Sequence, residues 1–177
     1  LGDVYKRQKE GYVHTDGLCY SPRDKKWYPV AEILPYGETQ TLALVGSAAT
    51  PSGSHHIVFT GGVDKERFTE AINRPFCMER ALQTKNDSLW NRLQEEQKNY
   101  LKHPGEWYRF NSRLLLYHTL TNSWITEGHF PQLALAGAAL VPYQGNWIII
   151  NGENKPGVRS TAVYAVSYTH LTLPTTE

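Results

Sequence analysis

Hydrophobic positions along this chain fall into short apolar runs bounded by glycine, proline and polar residues, with one long stretch between them that follows a different period. The runs Thr39 to Val45, Ile57-Val-Phe-Thr60, Gly137 to Val141 and Trp147-Ile-Ile-Ile150 are each four to seven residues long. Runs of that length between turn residues predict strands buried in a sheet. Two of the intervening stretches repeat each other. Tyr20-Ser-Pro-Arg-Asp-Lys-Lys-Trp27 and Tyr117-His-Thr-Leu-Thr-Asn-Ser-Trp124 share the spacing Tyr, six residues, Trp, and each is followed by a proline, Pro35 and Pro131. Pro-Arg-Asp-Lys and Thr-Leu-Thr-Asn are turn-forming sequences, so each repeat predicts a hairpin with Tyr on one strand and Trp on the other.

A second shared feature sets the architecture. Ile57-Val-Phe-Thr60 ends at Gly61-Gly62, and Trp147-Ile-Ile-Ile150 ends at Asn151-Gly152. The order is therefore an inner strand, a second strand, a small doublet, a third strand with Tyr, and an outer strand opening with Trp. That is the order of a kelch blade, and a fixed internal repeat takes precedence over local propensity in deciding a fold. The predicted class is all-β, a kelch-type β-propeller. One blade ends near Ala31, a complete blade runs from Thr39 to Thr126, and a third extends to Ala165.

One interval departs from the repeat. Gly62 and Tyr117 are 55 positions apart, whereas Gly152 and Tyr164 are 12 apart, so about 43 residues are inserted between the second and third strands of the complete blade. Within residues 64–106, Phe68, Ala71 and Ile72, then Met78 and Leu82, then Leu89, Leu93 and Tyr100 recur at helical spacing. Pro75, Pro104 and Gly105 punctuate the pattern. A helical cap is expected. In an up-and-down blade, turns joining strands two and three share one face of the disc, so the cap belongs on the same face as the residues after Asn151-Gly152.

Composition narrows the partners without naming them. Eighteen basic and seventeen acidic side chains leave a net charge of +1, too little to steer the chain to nucleic acid or an anionic membrane. No apolar run approaches the ~18 residues of a membrane span. Cys19 and Cys77 form neither a metal-ligand spacing nor a disulfide framework. The ends have another origin. Asp3-Val-Tyr-Lys-Arg-Gln8 is encoded by GATGTGTATAAGAGACAG, whose reverse complement, read from its third base, encodes Val166-Ser-Tyr-Thr-His170. Such a pair resembles the transposon end used to cut DNA for sequencing libraries. Residues 1–8 and 166–177 are thus expected to be adaptor, leaving 9–165 as part of a propeller whose true termini, including any secretion signal, lie elsewhere.

The chemistry concentrates after the second small doublet. Asn151-Gly-Glu-Asn-Lys-Pro-Gly-Val-Arg-Ser160 resembles the Asn-Gly-Glu-x-Lys-Pro-Gly-x-Arg stretch of the N-acetylneuraminate epimerases, kelch propellers that interconvert the anomers of sialic acid. The resemblance extends through Ala136-Gly-Ala-Ala139, Phe110-Asn111, Leu114-Leu115 and Thr60-Gly-Gly-Val63, and covers most of residues 55–165. It implies that Glu153 is the proton acceptor and Arg159 a substrate-binding partner. The chemistry agrees: mutarotation needs a base for the anomeric hydroxyl, and a guanidinium is shaped to hold the carboxylate on the anomeric carbon. Asn151 and Lys155 beside them, and Asn111 and Arg113 where the insert rejoins the blade, are candidates for contacts with the sugar. A small-molecule sugar is the expected partner, with no metal or organic cofactor, and relatives imply a periplasmic or secreted isomerase. The alternative is a non-catalytic kelch module that binds a glycan or a protein. A copper oxidase on the same scaffold would need a Tyr, Cys and His cluster that Cys19 and Cys77 do not supply. His55 and His56 are adjacent and point to opposite faces of a strand, which keeps them from sharing one ion.

Overall fold

The computed structural model describes residues 11–167. Among the described residues, three antiparallel blade sheets follow one another in chain order, and a two-stranded fourth sheet interrupts the third. Strands β1 (Gly17–Ser21) and β2 (Lys26–Val30) form the first, a lone hairpin. The second has four strands in sequential order: β3 (Ser47–Ser52), β4 (His56–Gly61), β5 (Arg113–His118) and β6 (Ser123–His129). In the third, β7 (Ala139–Tyr143) pairs with β8 (Asn146–Ile150), and β8 with β11 (Val163–Ser167). A small hairpin of β9 (Glu153–Lys155) and β10 (Val158–Arg159) lies between β8 and β11. The chain is thus a stretch of kelch-type β-propeller: one complete blade with parts of its two neighbours.

The two repeats superpose in detail. Tyr20 pairs with Trp27 across β1 and β2, and Tyr117 with Trp124 across β5 and β6. Their rings lie 5.1 and 4.7 Å apart. In each turn the fifth residue after the Tyr, Lys25 or Asn122, takes a positive φ of 53° or 51°. What differs is burial. Trp124 is 5% exposed and Trp27 64%, because only Trp124 has the preceding sheet packed over it. Its Nε1 donates to the carbonyl of Ala31 at 3.0 Å, and the N–H of Ala31 donates to Asn122 at 2.8 Å.

Both faces of the complete blade are buried, so its central strand is apolar at successive positions. Leu114 and Leu116 point toward the third sheet and join Ala48, Val58, Leu135, Leu140, Trp147 and Ile149 in one core. Leu115, between them, points the other way and packs with Ile33 and Trp124. The period-2 alternation of a strand sends neighbours into different cores.

The first strand of this blade is not where the apolar run suggested. It is Ser47–Ser52, and residues 39–45 form the crossover from the preceding sheet. Leu42 and Leu44 are apolar because they pack against the Ile33, Leu115 and Trp124 core. Ser47-Ala-Ala-Thr-Pro-Ser52 carries little hydrophobic signal because small side chains suffice where the inner strands β3 and β7 lie close together. In the third sheet the inner strand starts two residues later than Gly137. At the other end, β11 continues through Val166 and Ser167, which pair with Trp147 and Asn146. Those two residues lie beyond the boundary expected at 165. Residues 1–8, the proposed leading adaptor, lie outside the described residues.

The insert is helical, as its spacing predicts. Helix α1 (Lys65–Gln83) starts at Asp64, whose carboxylate accepts from the N–H of Arg67 at 2.9 Å. It runs through Pro75 without stopping. A proline in the helix interior removes the donor that the carbonyl of Ala71 would meet and crowds that carbonyl with its ring, a cost the packing on either side of it offsets. The break comes at 84–86, where Asn86 caps α2 (Asp87–Asn99) by accepting from Leu89 at 3.0 Å. Two short 3₁₀ turns, Tyr100–Lys102 and Gly105–Tyr108, complete the insert. Its two ends are joined at a neck. The N–H of Asn111 donates to the carbonyl of Gly62 at 2.9 Å, and the Asn111 amide donates to that of Gly61 at 3.0 Å.

Candidate functional site

The glycine doublet explains how the site is anchored. Gly61 and Gly62 have φ of 70° and 103°, and a Cβ on Gly61 would sit 2.1 Å from the carbonyl oxygen of Leu135. Without side chains, the exit of β4 accepts the lead-in to the next blade, and the N–H of Gly62 donates to Leu135 at 2.8 Å. Asn151 holds the matching position in the third sheet at φ 58°, a conformation Asn tolerates better than most residues. Two residues later, Glu153 and Ala136 exchange backbone hydrogen bonds of 2.7 and 2.9 Å. Glu153 is thereby pinned to the segment leading into β7.

The local sequence then brings Arg159 to Glu153. Lys155-Pro156-Gly157-Val158 is a tight turn with Pro at its second position and Gly157 at φ 75° in its third, the placement a type II turn requires. Folding back there pairs Val158 with Lys155, and a bulge at the next step sets Arg159 opposite Glu153 in the β9–β10 ladder. An Arg159 Nη2 lies 3.8 Å from one Glu153 oxygen, and the other oxygen accepts from the N–H of Gly157 at 3.3 Å. Glu153 is partly shielded, at 31% side-chain exposure, while Arg159 is 84% exposed. The pair is thus a carboxylate held in place beside a guanidinium with most of its donors free for a ligand. The residues from Glu153 to Arg159 thus form a hairpin.

The insert covers this hairpin. Lys155 donates through Nζ to the carbonyls of Leu101 and His103, each at 3.0 Å. Beneath α1 lies a cavity of about 330 Å³ bordered by Glu153 and Pro156 on one side and by Phe68, Ala71 and Ile72 on the other. At the far side of the insert, Asn73 exchanges hydrogen bonds of 2.6 and 2.9 Å with the backbone of Gly11. The cap therefore shares a face with Glu153, as the connectivity of the blade demands.

Asn111 and Arg113 go elsewhere. They line a second, more polar cavity of about 250 Å³ on the complete blade, with Thr41, Asp64 and Arg109. Val63 and Asp64 border both cavities and stand between them. Asn111 is buried, and its side chain is taken up by Gly61 and by the N–H of Arg113 at 3.1 Å. Arg113 is held by Glu38 through contacts of 2.9 and 3.2 Å, and this hydrogen bond, with the charge behind it, keeps the Glu38 carboxyl below its ordinary pKa. Arg109, in a left-handed conformation, binds Asp64 at 2.6 Å and Glu66 at 2.8 Å. The Glu66 hydrogen bond raises the Arg109 pKa and lowers that of Glu66. Glu38, Asp64 and Glu66 were not legible as partners, since 75, 45 and 43 residues separate them from the arginines they hold. Asn151 is exposed at the site's edge.

The insert aromatics pack within the cap. Tyr108 is 1% exposed and donates to the carbonyl of Tyr100. Trp107 lies between the ring of His103, stacked at 4.0 Å, and the guanidinium of Arg67 at 4.1 Å.

Comparison with known proteins agrees with this architecture. The family model described as N-acetylneuraminate epimerase matches residues 2–174. N-acetylneuraminate epimerase of Salmonella paratyphi B is 28% identical over 166 residues, covering 93% of this chain and 39% of the relative. That of Yersinia enterocolitica is 32% identical over 149 residues, covering 84% and 34%. The chain thus spans about two-fifths of the length of the curated relatives it matches. The solved structure of YjhT superposes with a TM-score of 0.68 at 22% identity, over 90% of this chain and 48% of that one, a likeness of fold. No helix of the described residues is long and apolar enough to cross a membrane.

Proposed function

The chain belongs to the N-acetylneuraminate epimerase family, and from that premise we propose that it carries part of the site of a sugar mutarotase acting on N-acetylneuraminate or a related acidic sugar. The observation that carries the proposal is the β9–β10 hairpin. It aligns a partly shielded carboxylate, Glu153, with an exposed guanidinium, Arg159. Glu153 takes the proton from the anomeric hydroxyl and passes it to the ring oxygen as the bond between that oxygen and the anomeric carbon breaks to leave a ketone. The carbon–carbon bond to the anomeric carbon rotates, and the ring oxygen then adds to the other face of the ketone while its proton returns through Glu153 to the new anomeric oxygen. Arg159 holds the carboxylate attached to that same carbon, so the reacting centre stays within reach of Glu153 while the ring is open. The steps are proton transfers, the breaking and re-forming of one carbon–oxygen bond, and one rotation. The curated relatives' names support the substrate class. Export to the periplasm or beyond belongs to the same reading, and cell fractionation tests it.

The test is Glu153→Gln in the complete reading frame that carries this chain. Glutamine keeps an oxygen to accept from Gly157 but cannot take a proton. Exchange between the anomers of N-acetylneuraminate, followed by NMR, should slow by about 10²-fold or more while sugar binding is retained. Near-normal exchange would remove Glu153 from the mechanism.

A further inference from the structure

The cavity beneath α1 has a character of its own. Phe68, Ala71 and Ile72 present one face of the helix to it, since residues three and four apart share a face. Phe110, Ala136 and Pro156 supply apolar wall opposite. The charged residues that line it are Asp64, Arg67 and Glu153. Asp64 is engaged by the N–H of Arg67 and by Arg109, and Glu153 by Gly157 and Arg159. Arg67 differs. Its Nη1 reaches Glu70 at 3.4 Å, but its Nε is buried with no hydrogen-bond partner among the described residues. That Nε has no surface open to the cavity, and the guanidinium lies over the ring of Trp107 at 4.1 Å, so Arg67 closes the wall without offering the cavity a donor.

An apolar chamber of this size suits a short alkyl group. A charged or polyhydroxylated group would lose its water there and find too few partners. At about 330 Å³ the cavity lies at the small end of ligand sites. Resting on the mutarotase reading above, we propose that this cavity is the acyl pocket of the sugar site. The methyl of the N-acetyl group lies among Phe68, Ala71 and Ile72. In a nine-carbon acid sugar the acylamino substituent stands across the ring from the anomeric carbon. With the anomeric hydroxyl at Glu153, that substituent therefore points away from Arg159 and into the space beneath α1. The insert is then the part of the site that recognises the acylated sugar, and the hairpin is the part that reacts.

The experiment compares N-acetylneuraminate with the analogue that has a hydroxyl in place of the acetamido group. Affinity by NMR titration and anomer exchange are read on the same samples of the complete reading frame. The N-acetyl sugar should bind about 10-fold or more tighter, the discrimination expected when a small alkyl group fills an apolar pocket. Ala71→Leu, which fills the cavity, should erase most of that preference. Binding of the hydroxyl analogue should stay within about 2-fold, and serves as the control for folding. Equal affinity for the two sugars, or equal loss of both in Ala71→Leu, would overturn the acyl pocket. A preserved preference for the N-acetyl sugar with anomer exchange no faster than in buffer would instead overturn the mutarotase reading and leave the pocket standing.

Discussion

Lys155 sits inside the motif that carries Glu153 and Arg159, yet its ammonium is directed at the protein. Replacing it with Met keeps the length of the side chain and removes both hydrogen bonds, leaving the carbonyls of Leu101 and His103 to water. A hydrogen bond to a charged group contributes about 1.5–3 kcal/mol when shielded. One of these bonds is exposed and the other only partly buried, so the two together are worth about 1–2 kcal/mol. A loss of that size raises the local opening equilibrium about 5- to 30-fold. Amide hydrogen exchange over residues 100–108 is the assay, with β4 and β5 as the internal reference. Protection in the 3₁₀ turns should fall by that factor while the strands are unchanged, and Lys155→Arg, which can still donate to both carbonyls, should restore much of it. Sugar affinity should drop by less than the exchange protection does. If Lys155→Met left protection of 100–108 intact and abolished binding of the acid sugar, the tether would be wrong and Lys155 would be a ligand-binding residue.

Three further outcomes follow from the same geometry. Arg159→Lys should weaken binding of N-acetylneuraminate by about 10-fold while leaving thermal stability unchanged, because a point charge replaces a planar two-pronged donor on an exposed side chain; undiminished binding would remove the carboxylate clamp. Gly61→Ala should cost about 3 kcal/mol in urea denaturation, from left-handed strain plus the loss of the Gly62 to Leu135 bond, whereas Asn151→Ala at the exposed matching position should cost about 1 kcal/mol, and equal costs would mean that interblade docking adds nothing. Glu38 has a lowered pKa, so the stability it gains from Arg113 is present above the ordinary carboxylate range and is lost as pH falls through its folded-state value. The stability gap between the parent and Glu38→Gln should accordingly be full at neutral pH and close below about pH 4; a gap that widens on acidification would refute the pairing.

Local signals in the sequence were reliable where one hairpin or one helix determines them. The Tyr, six residues, Trp spacing is a hairpin register, and its two copies fold alike down to the positive φ of Lys25 and Asn122. Helix spacing in the insert likewise reports a local period. Failures came where distant chain decides. Leu42 and Leu44 look like strand residues but are apolar because Trp124, some 80 positions away, lies over them. The pairing of Arg113 with Glu38 leaves no trace at either position. Pro156-Gly157 is a local signal for the tight turn that brings Val158 back to Lys155, but the bulge that then carries Arg159 past Asn154 to Glu153 leaves no such mark in the sequence.

The neck of the insert has a bearing on how such proteins diverge. Because Asn111 ties the strand ends at Gly61 and Gly62 before the chain leaves the sheet, the blade meets the cap as a closed loop and is indifferent to what the loop contains. The entropy of closing a loop grows only with the logarithm of its length. The cap can therefore be shortened, lengthened or exchanged between propellers at little cost to the sheet below, and substrate preference can drift by grafting at one asparagine while the reacting hairpin next door stays as it is.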